Sequence, residues 1–577
     1  MSNYKKTPQG AVFNGFSGID VRRAHSGEAN SEDICNFSID ALGTLNKRCG
    51  FKFITAFGEN IRAVWSGRHE SSDVCVILHG SYVSTFSPKT YQADTFGSVD
   101  TSAGKGCFFS YRGKLYLGDG ENLYSVDVSG RSVRRVVGYI PLIGKDWSTG
   151  GKGVINEQRN VLCDRARITY LAEDYPSIYL HTGWPAKAID ALYLNGKLVD
   201  PSDYIYNSLF KAIEISGLEK GDRLTAFVRY QSALDEKISE GLRTSIASLT
   251  FSGGNGDRVL LFGGNSKSLV YSSEFVSSSS LEASKEASSE SCSLYFPYGH
   301  EIDVGDGRNG VTAALRHFDR ILLFTENEAW NIDHGANGSD DIPLRNINTA
   351  AGCVPMGGAG MLENSPVSVG KSSIFAWSSE TDEYNICNAQ SISRGIDALL
   401  EDGFYEKALL FNAESCRQIW FHAPGEESTW VYNIDRGGFS RYTGFDADGF
   451  FEIGSTVWFF EGNKLYRFDP SLTYDRLSTG EQREICASFK SSLIDFSTHG
   501  KKRLGGLVLN ADVDGDTLDV RIDTDSVKGA ELRLIGDGEH MTVRRRLHSG
   551  RFDCARLTIS ASGTGRTSLH LAELSAR

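Results

Sequence analysis

Along this chain, short apolar runs repeatedly meet a turn of Gly, Asn or acidic residues, and a second apolar run follows, ending in an aromatic residue or Asp. The clearest examples are GKLYLGDGENLYSVD (residues 113–127), DRILLFTENEAWNID (319–333) and STVWFFEGNKLYRFD (455–469). Looser ones are DVCVILHGSYVSTFS (73–87), DRVLLFGGNSKSLVYSSE (257–274), SSIFAWSSETDEYNIC (372–387) and RQIWFHAPGEESTWVYNID (417–435). Each predicts a β-hairpin. From residue 257 onward the hairpins recur every ~40 to 60 residues, the size of one four-stranded propeller blade. Runs such as LLFT, IWFH and VWFF are apolar on both strand faces, as a strand packed between two neighbouring blades must be. Seven related hairpins favour an all-β propeller of six or seven blades over an ordinary β-sandwich.

Two regions break the rhythm. Residues 160–232 contain ALYLNGKLVDPSDYIY, whose Asn-Gly pair predicts a tight hairpin followed by a Pro-led loop. They are expected to form a small inserted β-sandwich module, reached through a glycine-rich flexible connector at 141–159. Residues 481–577 read as about six strands of a C-terminal β-sandwich. The propeller is thereby divided into blades at 1–140 and 233–480. Within the second part, the serine-rich run SSEFVSSSSLEASKEASSESCS (272–293) has too little apolar content to make core and is expected to be a long exposed loop or to be ordered only by a partner.

Composition agrees with many short strands, since 62 Gly and 11% aromatic residues stand beside only 12 Pro and 4 Met. No apolar run approaches the ~20 residues that span a bilayer, so no membrane insertion is expected. MSNYKKTPQG is followed by no apolar segment, so no secretory leader is expected either. The eleven cysteines include no CxxC pair, which favours free thiols over a disulfide frame or structural zinc. A net charge of −13 disfavours coating of nucleic acid but allows a duplex to pass an acidic wall without sticking.

Candidate chemistry is sparse. There is no GxSxG, HExxH or Walker A motif, and GKDWSTGGKG (144–153) has the glycines of a phosphate loop without the spacing. DVDGDTLDV (512–520) resembles a calcium loop, but its glycine is fourth rather than sixth and no glutamate closes it, so a polar hairpin turn is expected. GDG (118–120) and VGDGRNG (304–310) likewise read as turns. His317 and Trp330 are expected in blade packing, and Arg544, Arg545 and Arg546 on a solvated strand face. No catalytic, cofactor-binding or metal-ligating residues are assigned, no cofactor is expected, and the chain does not read as an enzyme.

The N-terminal stretch NGFSGIDVRRAHSGEANSEDICNFSIDALGTLNKRCGF (14–51) resembles the opening of a group of tailed-bacteriophage structural proteins. These begin with a phrase of the type F-x-G-G-[ILV]-D, then [CA]-x-N, then D-x-x-G-x-L-x-x-R-x-G. Here the matching positions are Phe16, Gly18, Ile19, Asp20, Cys35, Asn36, Asp40, Gly43, Leu45, Arg48 and Gly50, with Ser17 in place of the usual glycine. Residues 139–162, the 257–332 region and residues 489–509 are similar to the family's connector, propeller core and approach to a C-terminal sandwich. The resemblance implies a virion protein of the nozzle, or lower tail tube, of short tails, assembled in the host cytoplasm. It implies a homo-oligomeric ring, commonly a hexamer, that meets a portal or adaptor protein and tail fibres. Genomic DNA would pass through the ring without sequence-specific binding. Two other roles fit the same pattern: a host-surface glycan-binding or glycan-cleaving propeller, and a neck or assembly component.

Overall fold

The computed structural model describes residues 9–577 except 23–24, 27–30, 70–71, 152, 175, 231–235, 254–255, 319, 334–342, 380–386, 498–499 and 526–528. The chain is nearly all β, and its centre is a seven-bladed propeller. The innermost strands are Ile61–His69, Cys107–Tyr111, Ala247–Gly253, Val311–His317, Ala359–Leu362, Leu409–Ala413 and Gly449–Ile453. Each packs beside the next in chain order, and the last meets the first, so the ring is closed. Blades 1 to 6 are four-stranded antiparallel units built from consecutive strands. Every one of the seven hairpin patterns in the sequence falls in a different blade. In blade 5 the pattern covers the third strand, Ile374–Ser379, and reaches the first residue of the fourth, Cys387–Ser391; its turn lies outside the described residues, as does Asp319 of blade 4.

The two-faced apolar runs do what their pattern demands. Val76 and Leu78 of blade 1 pack with Leu115 and Leu117 of blade 2. Leu260 and Phe262 of blade 3 pack with Ile321 and Leu323 of blade 4, and Trp420 of blade 6 with Val457 and Phe459 of blade 7. Burial of both faces between blades removes most of each strand's apolar surface from water, worth about 1.5–3 kcal/mol for each fully buried large side chain.

Blade 7 closes the propeller with a strand from the other end of the chain. Gly449–Ile453, Thr456–Glu461 and Lys464–Asp469 take Gly50–Ala56 as their outer strand, with Phe468 opposite Phe51. Residues 9–47, expected among the first blades, lie elsewhere. Gln9–Asn14 and Leu45–Lys47 pair with the C-terminal strand Ala555–Ala576. Ser31–Cys35 bridges Ala487–Ser491 to the outer strand of blade 6. The first blade built wholly from consecutive strands therefore begins at Ile61.

Between blades 2 and 3, a five-stranded sheet and a three-stranded sheet enclose their own core of Ile168, Leu180, Leu192, Ile213 and Val228. The anticipated Asn-Gly turn is present: Asn195 and Gly196 both have positive φ and join Ala186–Leu194 to Lys197–Leu198. Part of the glycine-rich connector is ordered structure instead of a flexible loop, because Leu142–Ser148 is a strand parallel to Arg165–Leu171. Trp147 explains two of its glycines: a Cβ at Gly144 would sit 2.5 Å from the indole, and one at Gly153 would overlap it.

Beyond the propeller, the strands Leu504–Thr524 and Ala555–Ala576 run antiparallel for 21 and 22 residues, with Ala530–Arg546 on the outer edge of the first. This corrects the turn expected at residues 512–520, which lie inside one long strand. Register shifts around Asp514 let the strand bend there, and Gly565 and Gly536 on the flanking strands leave room for the Asp514 and Val513 carbonyls. The sheet's apolar face joins a core that also includes Val367, Ile419 and Phe421 of blades 5 and 6, so propeller and C-terminal sheet share one interior.

The serine-rich segment also differs from its expectation. Ser278–Ala287 is a helix capped by the Ser277 hydroxyl, and Val276, Ser284, Ser291 and Cys292 are buried. Hydrogen bonding, which composition does not reveal, holds it down. Ser284 Oγ accepts from the Ile140 amide at 2.9 Å and lies 2.6 Å from Ser291 Oγ, which donates to the Gly138 carbonyl at 3.0 Å.

Candidate functional site

The residues that carry the family resemblance converge on one place, the seam where the N-terminal stretch, the last two blades and the C-terminal sheet meet. Phe16 is buried edge-on against Phe489, with ring centroids 5.0 Å apart, and its amide donates to the Gly43 carbonyl. Gly18 has a φ of 115°, and a Cβ there would stand 2.7 Å from the Phe439 amide nitrogen. That close approach lets the Ile19 amide reach the Phe439 carbonyl at 2.8 Å. Gly43, also at positive φ, lies directly on the Gly15 backbone.

Asn36 and Arg48 form the polar centre. The Asn36 side-chain oxygen accepts from the Thr443 amide and from Arg48 Nε, both at 2.9 Å, while its Nδ2 donates to Thr443 Oγ1 and the Cys486 carbonyl. Arg48 continues as a two-pronged pair with Asp475, each nitrogen 2.8 Å from its carboxylate oxygen. Both side chains are almost wholly buried. A planar guanidinium matches this geometry and a lysine does not. Asp40 folds the following turn by accepting from the Leu42 and Thr44 amides and from Asn46 Nδ2. Leu45 is fully buried in the shared core, and Cys35 lies against Thr443, where burial pushes its thiol up. Asp20 faces outward and pairs with Arg22. At Gly50 a Cβ would collide with the Tyr474 carbonyl.

The motif is thus a structural clasp. Its glycines allow backbone to lie on backbone, and its Asn, Asp and Arg satisfy the polar groups that such a seam would otherwise bury unpaired. Sequence reasoning reads GIDV and TLNKRCGF as edge-pairing segments that complete a blade or clasp a neighbour, but it could not name the partners, because Thr443, Asp475 and Phe489 are more than 400 residues away.

The remaining candidates are placed as follows. His317 Nε2 meets the Asn364 carbonyl at 2.9 Å, and Trp330 packs at the boundary of blades 3 and 4. Arg544, Arg545 and Arg546 are exposed at the end of the edge strand. The ten cysteines whose side chains are described are free and dispersed, from Cys35 in the N-terminal stretch and Cys163 beside the inserted module, through the blades, to Cys554 in the C-terminal part. A groove of about 670 Å³ between blades 1 and 2 and the serine-rich helix gathers Arg68, Lys114, Arg134, Arg135 and Lys285. One group among the described residues could hold a metal ion: Asp512, His540 and His570, on three adjacent strands of the C-terminal sheet. They are 28 and 30 residues apart in sequence, so only strand register reveals them.

These features define an all-β protein: a seven-bladed propeller closed by its N-terminal strand, clasped to a long-stranded sheet and carrying an inserted module. No family model matches the chain, and no curated protein matches its sequence. Among solved structures, it is similar to the extracellular domain of a one-component system from B. thetaiotaomicron at 10% identity, covering 90% of this chain and 58% of that one, with a TM-score of 0.29. The CNH domain of AfRom2 is similar at 6% identity, covering 73% of this chain and 99% of that one, with a TM-score of 0.36. YCF48 from Cyanidioschyzon merolae gives 9%, 73% and 99%, with a TM-score of 0.26. At such scores the likeness carries no argument, and the seven-bladed assignment rests on the strand pairing itself.

Proposed function

We propose that the chain is a structural protein of a bacteriophage tail, one subunit of a nozzle-type ring around the channel through which the genome leaves. The observation that carries this reading is the clasp. The eleven positions that resemble the phage family include Gly50 at the start of the closing strand, the Asn36 and Arg48 that join Asp475, and the close-packed Gly18 and Gly43, which together tie both chain ends into one body. Such a device suits a part that bears mechanical load. The inserted module supports the same reading, since it exposes Leu198, Ile205, Leu209 and Phe210, apolar surface suited to a neighbouring subunit or to an adaptor. Six copies at −13 each would carry about −78, a wall that resists DNA adhesion.

The test is the mass of the purified protein in solution and its symmetry by particle averaging, alone and in virions. A closed ring with an opening wide enough for a DNA duplex is the expected result. A stable monomer absent from virions would overturn the proposal.

A further inference from the structure

Asp512, His540 and His570 lie side by side on the outer face of the C-terminal sheet. Asp512 stands directly opposite His540 in the register, with Oδ1 2.7 Å from His540 Nδ1. Its second oxygen, Oδ2, lies 2.8 Å from His570 Nε2 on the other flanking strand. The three ligand atoms are all within 4.8 Å of one another.

His570 reaches this position through an irregularity. Asn510 pairs with Leu571 and Ala511 with Leu569, so His570 is the extra residue of a β-bulge. Bulges re-aim side chains and gather at functional sites. The other ring nitrogen has a role as well. When Nε2 is a ligand, Nδ1 carries the proton and needs an acceptor, and Thr44 Oγ1 lies 3.5 Å from it. Thr44 in turn is held by Asp40 of the clasp, whose carboxylate accepts from the Thr44 amide at 2.8 Å.

The geometry points to a divalent transition-metal site of the zinc type, made by His540 Nδ1, His570 Nε2 and one Asp512 oxygen, with solvent completing the coordination. Two imidazoles and one carboxylate are a common donor set for such ions, which favour bonds of about 2.0–2.2 Å. Tetrahedral angles at those lengths put ligand atoms about 3.4 Å apart. At present each nitrogen meets a different Asp512 oxygen, at 2.7 and 2.8 Å, so binding requires the carboxylate to turn one oxygen toward both rings and the three side chains to adjust to that spacing. All three side chains are at least a third exposed, so they have that freedom and leave open positions for water. Among the described residues, Ala530–Arg546 pairs only with Leu504–Thr524, so a metal here would fasten an edge strand to the two long strands behind it. This site does not depend on the tail reading, and each can fail without the other.

The experiment titrates zinc chloride into the chelator-stripped full-length chain, wild type and His540→Ala, by calorimetry and by melting temperature. Cobalt(II) serves as a spectroscopic probe of the ligands. His540 is exposed on the edge strand, and His540→Ala is expected to melt like wild type without metal. Wild type should take up one equivalent and melt higher by a few degrees or more at saturation (~100-fold above Kd). His540→Ala, and separately His570→Ala, should weaken binding roughly a hundredfold or more, since loss of even an outer-shell partner costs about 10–100-fold. Equal binding by wild type and both variants, cobalt spectra with thiolate bands, or no saturable binding below about 1 mM would each overturn the proposal.

Discussion

Lys47 and Asp516, 469 residues apart in the chain, meet with Lys47 Nζ 2.9 Å from each carboxylate oxygen. Their side chains are only 2% and 0% exposed. The pair is fully satisfied: Lys47 also donates to the Gly563 carbonyl, and Asp516 accepts from the Gly565 amide and Thr567 Oγ1. Removing one partner strands a buried charge, which costs about 3–5 kcal/mol. Lys47→Met should therefore raise local opening by about that amount, read as faster amide exchange in Leu45–Lys47 and Leu504–Thr524. Lys47→Met with Asp516→Leu should cost less than the two single changes added together. Strict additivity would show that the two charges do not depend on each other.

Closure of the propeller at Gly50 makes a sharper prediction. The obstacle to a Cβ there is the Tyr474 carbonyl, which is backbone and cannot swing aside. Gly50→Ala should cost about 3 kcal/mol, the upper end of ordinary overpacking, and loosen Gly50–Ala56 from Lys464–Asp469. Gly58→Ala is the control, because nothing lies within 4 Å of a Cβ at that position. The reading requires hydrogen exchange to separate the two variants at blade 7, and indistinguishable profiles would refute it.

The contrast between these blades and this clasp shows what the sequence could convey. Each blade is made mostly of neighbouring segments, so its hairpins appear as local alternation and a turn, as in residues 113–127 or 455–469. The clasp is non-local: Asn36 reads as one polar residue in a loop until Thr443 and Cys486 are placed beside it. The acidic run at 512–520 misled because its aspartates are assigned singly to distant partners, Asp512 to His540 and His570, Asp516 to Lys47 and Asp519 to Arg533. A bulged strand and a turn share the same Gly-and-Asp chemistry. Low apolar content misled in the serine-rich segment for a related reason, since hydroxyls can be buried when they hydrogen-bond one another.

Ser284 tests that last point. It is fully buried, and the Ile140 amide has it as a hydrogen-bond partner at 2.9 Å. Ser284→Ala would leave that amide without this partner and open the contact to Ser291, at a cost of about 1–3 kcal/mol. Ser278→Ala, on the exposed first turn of the same helix, should stay within about 0.5 kcal/mol of wild type. Limited proteolysis should then cut Ser278–Ala287 faster in Ser284→Ala only. Rapid cutting of wild type at the same place would mean that the helix is not held down.

Glu426 gives blade 6 a dependence on pH. It lies in the turn between Gln418–His422 and Ser428–Asn433, where burial first and the nearby Glu401 second push its carboxyl up to about 7, with Lys407 opposing. In the unfolded chain the carboxyl titrates near its ordinary value of 4.5. Between these two values the folded protein holds a proton that the unfolded chain has lost, so folding is coupled to proton uptake. This contribution to stability is fully present below about pH 4.5, declines as pH rises, and is gone above about pH 7. Glu426→Gln is neutral at every pH and should remove the slope. Its melting temperature relative to wild type should be lowest near pH 4, climb between about pH 5 and 7, and hold its gain at pH 8. Scanning calorimetry of both proteins at matched ionic strength checks this, and a difference that does not change with pH would mean that Glu426 ionises as an ordinary surface carboxylate.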